Sequence, residues 1–196
     1  MSGRSRTSVK IRETKETKVR VELDLDESGE VRVETPVPFL NHMLHTMLFY
    51  ANFRADVKAE DKQQYDDHHV VEDVAIVLGQ ALKEALGERR GIRRFSSVIM
   101  PMDEALVMVA LDVSGRGMAE VRLRVPRQTV GGLSVENVPH FFWSLATNGA
   151  FTLHVRQIAG SNSHHIIEAS FKGVGMAMGE AFRVVSSEVP STKGSL

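Results

Sequence analysis

The sequence predicts an α+β fold of two related halves, each a β-β-α-β-α unit with helices packed on one face of a sheet. The main observation is an internal repeat, because the segment 68–86 recurs at 164–182. Upstream of it, His42 corresponds to His140 with almost the same shift. Strand-like alternation and helical apolar spacing follow one another in the same order in both halves, which indicates a tandem duplication.

In the first half, apolar and polar residues alternate over 19–25 and over 30–34. A Glu-Ser-Gly sequence lies between these two segments, and the pattern predicts an antiparallel hairpin. A proline opens a predicted helix over 39–50, since proline is favoured at the first helical position. A short strand over 53–59 and a long helix over 68–86 complete the unit.

The second half repeats this order. Alternating segments over 105–113 and 119–125 correspond to the hairpin, and a helix over 140–147 again follows a proline. A strand over 151–158 precedes the second long helix, which begins at residue 164.

The residues before the two long helices suggest how these helices begin, and the repeat suggests where the halves divide. Asp67 and Ser163 stand where N-caps belong. The duplication divides the chain into residues 1–92, with an N-terminal arm over 1–13, and residues 93–196, with a C-terminal tail over 187–196.

Composition excludes several classes of protein. The net charge is −1, which gives no overall attraction to nucleic acid or to an anionic membrane. The longest uncharged apolar run, 105–111, is far shorter than the ~20 residues of a membrane-spanning helix. There is no cysteine, so disulfides, thiolate zinc sites and iron–sulfur clusters are excluded. We expect a cytoplasmic protein that binds neither nucleic acid nor membranes.

Histidines in the repeated segment form a candidate metal site. On a helix, His68 and Glu72 share a face, and His69 and Glu72 lie three residues apart. Adjacent residues diverge by about 100° around the helix, so His68 and His69 cannot easily hold one ion together. The simplest inference is that the adjacent histidines serve two different ions, whose remaining ligands come from the other copy of the repeat.

The second copy supplies those ligands, and the duplication adds one further histidine to each half. Each ion would have three histidines and one glutamate, which leaves two positions of an octahedral ion open for substrate or water. A structural metal is the alternative, although structural sites usually close every position. His45 and His154 have no histidine counterpart and are excluded. The predicted ligands are His42, His68, His69, Glu72, His140, His164, His165 and Glu168.

Basic residues provide candidate phosphate ligands. Arg89, Arg90, Arg93 and Arg94 surround a glycine, and Arg116 lies in a Ser-Gly-Arg-Gly turn. The segment 190–194 combines two hydroxyls with an ammonium group, and such groups commonly bind phosphate. The alternative is that these are solvated charges and a frayed terminus.

Seven motifs lie in order along the chain: TKET (14–17), PFLNHML (38–44), DDHHVVED (66–73), GIRRF (91–95), MDEALV (102–107), SGR (114–116) and NSHHIIEASFK (162–172). Taken together, they resemble the imidazoleglycerol-phosphate dehydratase family of histidine biosynthesis. The similarity extends from about residue 14 to residue 193. Two positions differ from the family pattern, since Asn41 stands where an aspartate is usual and Tyr50 where a histidine is frequent.

The resemblance implies a fold of the ribosomal S5 domain 2-like type and a closed homo-oligomer of about 24 subunits. It also implies two Mn²⁺ ions per active site, with the sites at subunit interfaces; other divalent transition metals are possible. The metal ligands it implies are the same eight residues. The substrate contacts that it implies, with the arginines and the tail binding the phosphate, are Glu16, Arg94, Arg116, Lys172, Ser191, Thr192 and Lys193.

Enzymes of this family remove water from D-erythro-imidazole glycerol phosphate to give imidazole acetol phosphate. No carbonyl group is adjacent to the carbon that loses its proton, so we expect the reaction to proceed through a metal-bound imidazolate. Glu16 and Glu168 are both candidates for the acid/base group. Two other functions remain open: a di-metal phosphate-ester hydrolase, and a non-catalytic manganese-binding assembly.

Overall fold

The computed structural model describes residues 5–194, so residues 1–4 of the predicted arm and 195–196 of the predicted tail lie outside it. The first sheet has the strand order β1 (Thr7–Glu13), β2 (Thr17–Asp24), β4 (Arg54–Asp61), β3 (Val31–Glu34). β2 runs antiparallel to both of its neighbours, and β3 runs parallel to β4.

The second sheet has the same topology. Its order is β5 (Phe95–Met102), β6 (Ala105–Asp112), β10 (Thr152–Ala159), β7 (Met118–Arg122). β6 is antiparallel to β5 and β10, and β7 is parallel to β10. A short separate hairpin is formed by β8 (Thr129–Val130) and β9 (Leu133–Ser134).

Four helices lie between the two sheets: α1 (Pro38–Ala51), α2 (His68–Leu86), α3 (Asn137–Gly149) and α4 (Ser163–Phe182). α2 covers the first sheet and α4 covers the second. α1 packs against α4, and α2 packs against α3, so both helix pairs join one half of the chain to the other. The apolar core therefore belongs to both halves at once.

Two glycines at equivalent positions of the repeat allow these helix pairs to approach closely. A Cβ atom at Gly175 would lie 2.1 Å from the carbonyl oxygen of Met47 in α1. A Cβ atom at Gly79 would lie 2.7 Å from the carbonyl oxygen of Leu145 in α3. Both distances are shorter than a van der Waals contact, so each helix crossing depends on a residue without a side chain.

The predicted α+β duplication is confirmed, and each half begins with one further strand. β1 replaces most of the predicted N-terminal arm over 1–13, and β5 is its counterpart. In β1 the polar Ser8 faces the interior while the apolar Val9 and Ile11 are exposed. Because the pattern is inverted, hydrophobic alternation does not predict that this segment is a strand with a buried face.

The predicted hairpin between 19–25 and 30–34 is wrong. β2 and β3 do not pair with each other, because β4 lies between them and pairs with both. The corresponding segments of the second half, 105–113 and 119–125, are likewise separated by β10. The true hairpins are β1–β2 and β5–β6, and their turns lie within the TKET and MDEALV motifs.

The predicted division between residues 92 and 93 lies in the loop that connects α2 to β5. An antiparallel bridge between Ile92 and Val184 connects this loop to the segment that follows α4. Within residues 5–194, no helix is both long enough and apolar enough to cross a membrane.

Candidate metal centre

One group of candidate ligands forms where α1 meets α4. His42, His164 and Glu168, here called the His42 cluster, each offer a ligand atom within 4.8 Å of the others. The Glu168 carboxylate lies 2.8 Å from Nε2 of His164 and 3.4 Å from Nε2 of His42. The helical spacing of four residues aligns His164 with Glu168, and the α1–α4 crossing supplies His42 from the other half.

A second group forms where α2 meets α3. His68, Glu72 and His140, here called the His68 cluster, satisfy the same distance criterion. Glu72 lies 3.1 Å from Nε2 of His140 and 4.0 Å from Nε2 of His68. The imidazole rings of the two histidines are stacked with their centroids 4.9 Å apart. Each cluster thus combines a His-x-x-x-Glu pair from one half with one histidine from the other.

The carboxylate of the His42 cluster is buried beside a lysine. Glu168 is only 7% exposed, and its second oxygen lies 2.8 Å from Nζ of Lys172. Burial by itself would raise the pKa of Glu168, but the hydrogen bonds from Lys172 and His164 and the charge of Lys172 outweigh it and lower that pKa. The carboxylate is therefore held ionised, as a metal ligand must be.

Within the His68 cluster, His68 is oriented by Asn137, a residue that sequence analysis missed. Nδ1 of His68 donates to the side-chain oxygen of the buried Asn137 at 2.9 Å, which leaves Nε2 free to bind a metal ion. The Asp67 carboxylate in turn accepts 2.7 Å hydrogen bonds from the backbone and the hydroxyl of Ser134. Burial opposes but does not cancel the effect of these bonds, which lower the pKa of Asp67.

Asp67 occupies the N-cap position of α2 as predicted, whereas Ser163 is not the N-cap of α4. The side chain of Asp67 makes no capping hydrogen bond, because it is engaged with Ser134. The cap of α4 is Asn162, whose side chain accepts from the backbone N–H groups of His164 and His165. Ser163 is instead the first residue of that helix, and its hydroxyl accepts from the backbone N–H of Arg127.

His69 and His165 lie outside both clusters. Their rings are nearly perpendicular to those of His68 and His164, at 88° and 81°. Nδ1 of His69 lies 3.2 Å from the carboxylate of Glu16 in the β1–β2 turn. Nδ1 of His165 lies 2.7 Å from the carboxylate of Glu104 in the β5–β6 turn.

Glu104 is a residue of this site that sequence analysis did not single out. Its carboxylate also accepts from the backbone N–H groups of Asn162 at 2.7 Å and Ser161 at 3.1 Å. The hydrogen bond to His165, followed by these two, lowers the pKa of Glu104 to about 2. The hydrogen bond to Glu104 raises the pKa of His165. The duplication carried the signal, since Glu16 and Glu104 occupy equivalent hairpin turns.

The predicted phosphate ligands gather at the opposite end of the molecule. The guanidinium group of Arg94 donates to Asp112 at 2.8 Å and to the carbonyl oxygen of Pro190 at 2.8 Å. This contact holds the segment with Ser191, Thr192 and Lys193 beside β6. Arg116, in the turn after β6, is exposed.

These residues and the His42 cluster do not form one site within one chain. The backbone N–H of Arg94 donates to the carbonyl oxygen of Ala181, near the end of α4. His164 lies at the beginning of the same helix. At a rise of 1.5 Å per residue, the two positions are separated by about 25 Å along the helix axis. Lys172 lies between them and contacts Glu168, and its Nζ is 5.7 Å from the ring centroid of Tyr50.

The donor set fits a divalent transition-metal ion. Two imidazoles and a carboxylate are the ligands that manganese, iron and zinc accept in proteins. Each cluster supplies three of them, so a bound ion would retain positions for a further histidine and for substrate. Two such clusters in one chain can therefore hold two ions.

Known proteins with similar sequences and structures share one description. A family model described as imidazoleglycerol-phosphate dehydratase matches residues 35–178. A protein of that name from Metallosphaera sedula is 63% identical over 98% of this chain and 100% of its own length. One from Saccharolobus solfataricus is 60% identical over 97% of this chain and 98% of its own length.

Solved structures agree with the sequence relatives. A crystal structure of IGPD from Pyrococcus furiosus in complex with (S)-C348 superposes with a TM-score of 0.83 at 38% identity. The match covers 95% of this chain and 100% of that one. The imidazoleglycerol-phosphate dehydratase of Staphylococcus aureus gives a TM-score of 0.82 at 32% identity, over 91% and 99% of the two chains.

Proposed function

From the premise that the chain belongs to the imidazoleglycerol-phosphate dehydratase family, the hydro-lyases of histidine biosynthesis, we propose a metal-dependent dehydration of D-erythro-imidazole glycerol phosphate. The carbon next to the imidazole ring loses its hydroxyl group, which leaves as water with one added proton. The following carbon loses a proton, and the resulting enol becomes the ketone of imidazole acetol phosphate. The phosphate ester remains intact throughout.

The observation that carries this proposal is the pair of His₂Glu clusters. Two Mn²⁺ ions, or other divalent transition metals, would be held by the His42 cluster and the His68 cluster. When bound there, such ions would supply Lewis acidity toward the nitrogens of the substrate's imidazole ring. Glu168 and Asn137 prepare the clusters for this, one as a buried carboxylate and the other as the group that orients His68.

Three further residues would complete the site from neighbouring copies of the chain. His69 and His165 each lie outside the clusters of their own chain, and each is available to an ion bound by another copy. Arg94, about 25 Å from the His42 cluster along α4, would likewise bind the phosphate of a substrate held by a neighbour. We therefore propose active sites at subunit interfaces, in a closed homo-oligomer of about 24 copies in the cytoplasm.

Phosphate binding would use charged groups that the fold already assembles. Arg94 is fixed by Asp112, so its guanidinium is oriented before the substrate arrives. Arg116 and Lys193 are exposed and would add charge. Ser191 and Thr192 would add hydroxyl donors beside them.

Glu16 is the better candidate for moving the proton. The oxygens of Glu168 are already engaged by His164, His42 and Lys172, so a metal-bound Glu168 would be a weak base. Glu16 is about half exposed, and its only contact within residues 5–194 through a side-chain oxygen is with His69. We assign the acid/base role to Glu16, and the roles of metal ligand and lysine partner to Glu168.

The experiment is an assay of the metal-stripped protein with imidazole glycerol phosphate, before and after addition of Mn²⁺. Ketone formation that appears only with metal, without release of inorganic phosphate, is the expected result. Phosphate release would favour a hydrolase instead. Tight Mn²⁺ binding without turnover would favour a metal-binding assembly and would overturn the proposal.

The choice between the two glutamates is tested separately. We expect Glu16→Gln to keep both ions and to lose turnover by about 10²- to 10⁴-fold, the usual contribution of a general acid or base. Glu168→Gln should instead lose metal. A Glu16→Gln variant with full activity would return the acid/base role to Glu168.

A further inference from the structure

Glu104 is held in a fixed position by three donors. Its carboxylate accepts from Nδ1 of His165 and from the backbone N–H groups of Ser161 and Asn162. Asn162 is the residue that caps α4, so Glu104 fixes both the start of this helix and the ring of its third residue. The β5–β6 turn thereby sets the direction in which His165 points.

The contact with Nδ1 determines which nitrogen of His165 can bind a metal ion. A carboxylate accepts hydrogen bonds, so Nδ1 carries the proton and Nε2 carries the lone pair in the neutral ring. The nearest acidic group on the Nε2 side is Asp103, which is exposed and 3.5 Å away. Nε2 of His165 can therefore exchange this weak contact for a bond to a metal ion.

The first half offers a matched arrangement with a looser carboxylate. Glu16 lies 3.2 Å from Nδ1 of His69. Within the described part of the chain, no backbone N–H donates to the side chain of Glu16. Its own backbone N–H instead donates to Thr14. The duplication has therefore produced one carboxylate with a single polar contact and one held by three donors, next to the two histidines that lie outside the clusters.

We propose that Glu104 is a positioning residue, which fixes the tautomer and direction of His165 so that Nε2 binds an ion held by another copy of the chain. This inference rests on the proposed function, since it requires the metal sites. His164 already belongs to the His42 cluster, and adjacent residues diverge around a helix. His165 would therefore complete the other type of site, that of the His68 cluster.

The size of the effect follows from the behaviour of such supporting groups. Carboxylates that orient a metal-bound histidine typically change metal affinity by about 10- to 100-fold when they are removed. We expect Glu104 to affect one of the two ions, because the His42 cluster does not use His165. Glu16 would not replace it, since it lies in the other hairpin.

The test compares Glu104→Ala and Glu104→Gln with a matched control, Asp103→Asn. The control removes one negative charge from the same turn and near the same ring, but leaves the bond to Nδ1 in place. Mn²⁺ is titrated into each metal-stripped protein, and the tautomer of His165 is read from its ring ¹⁵N shifts. Circular dichroism establishes that each variant is folded.

We expect both Glu104 variants to bind one Mn²⁺ per chain with wild-type affinity and the other about 10- to 100-fold more weakly, Glu104→Gln being the milder. The control should bind both ions normally. Two normal ions in both Glu104 variants, with an unchanged tautomer, would overturn the positioning role alone. A wild-type protein that binds no Mn²⁺ would overturn both this inference and the proposed function.

Discussion

The two duplicated helices α2 and α4 present the same candidate ligands in different surroundings. In α4 the glutamate side chain of the His42 cluster is 9% exposed, whereas Glu72 in α2 is 33% exposed. The neighbours differ as well, since Lys172 contacts Glu168, while the equivalent position in α2 is Ile76. Duplication has preserved the ligand pattern and allowed the supporting residues to diverge.

In the first half, α2 carries an acidic residue that has no acidic counterpart in α4. The buried Asp73 accepts hydrogen bonds from Arg12 and from the hydroxyl of Thr17, which fasten the β1–β2 hairpin to α2. The equivalent position in α4 is Ala169. One helix thus uses a lysine to stabilise its ligand, and the other uses an aspartate to hold the hairpin that carries Glu16.

The largest expected effect is a loss of kcat, and it tests whether the two clusters are equally necessary for activity. We expect His68→Ala and His164→Ala each to lower kcat by about 10³-fold, since several kcal/mol of charge stabilisation depend on each ion. Metal analysis of the purified variants should accompany steady-state kinetics. His154→Ala, outside both clusters, serves as the control. If one cluster variant kept a tenth of the activity, the two sites would not be equivalent in function.

The next largest effect is on stability, and it compares the α1–α4 crossing with the α2–α3 crossing. Gly175→Ala should destabilise the protein by about 1–3 kcal/mol, because the added methyl group meets the backbone of α1 and cannot be accommodated by a side-chain rotation. Gly79→Ala should cost less, since its closest contact is 2.7 Å rather than 2.1 Å. Chemical denaturation of the metal-free variants measures both. The reverse order would show that the α2–α3 crossing is the tighter one.

A third effect concerns the lysine found in only one half. Lys172→Met should lower the free energy of unfolding by about 1–3 kcal/mol at pH 7, because a buried carboxylate loses its charged partner. The pKa of Glu168 is lowered in the folded protein, so its stabilisation is present above the unfolded value and is lost as pH falls through the folded one. The variant should lose this stabilisation at a higher pH.

Ile76→Met provides the matched control for that measurement, since it changes the equivalent residue of α2 without altering a charge. Denaturation of the metal-free proteins between pH 3 and pH 7 separates the two variants. Equal curves for Lys172→Met and the wild-type protein would mean that His164 and His42 alone keep Glu168 ionised.

The residues that form both clusters could be predicted by pattern, because His-x-x-x-Glu on a helix and an internal repeat are visible in the sequence itself. The sequence did not predict the strand pairing, because β2 and β3 are close in sequence but are separated by β4, which comes later in the chain. Asn137 and Glu104 were missed for a similar reason. Their role depends on contacts across 69 and 61 residues, which no local pattern records.

The smallest expected effect is the pH dependence of stability that arises from the Glu104–His165 pair. Its sign follows from two opposite pKa shifts. The hydrogen bonds that His165, Asn162 and Ser161 donate lower the pKa of Glu104 to about 2. The contribution of Glu104 to stability is therefore present above pH 4.5 and is lost as pH falls toward 2. The pKa of His165 is raised above 6.5, so its contribution is complete below that pH and is lost as pH rises through the folded value.

The pair should therefore stabilise the metal-free protein most between about pH 4.5 and 6.5. An NMR titration of His165 checks this directly, with a midpoint above the ordinary histidine value in the wild-type protein and a lower one in Glu104→Gln. Glu16→Gln should leave that midpoint unchanged, because Glu16 contacts His69 in the other hairpin. A midpoint of His165 that responds to both substitutions would mean that the two hairpins are electrostatically coupled, and the contrast between them would then be one of geometry alone.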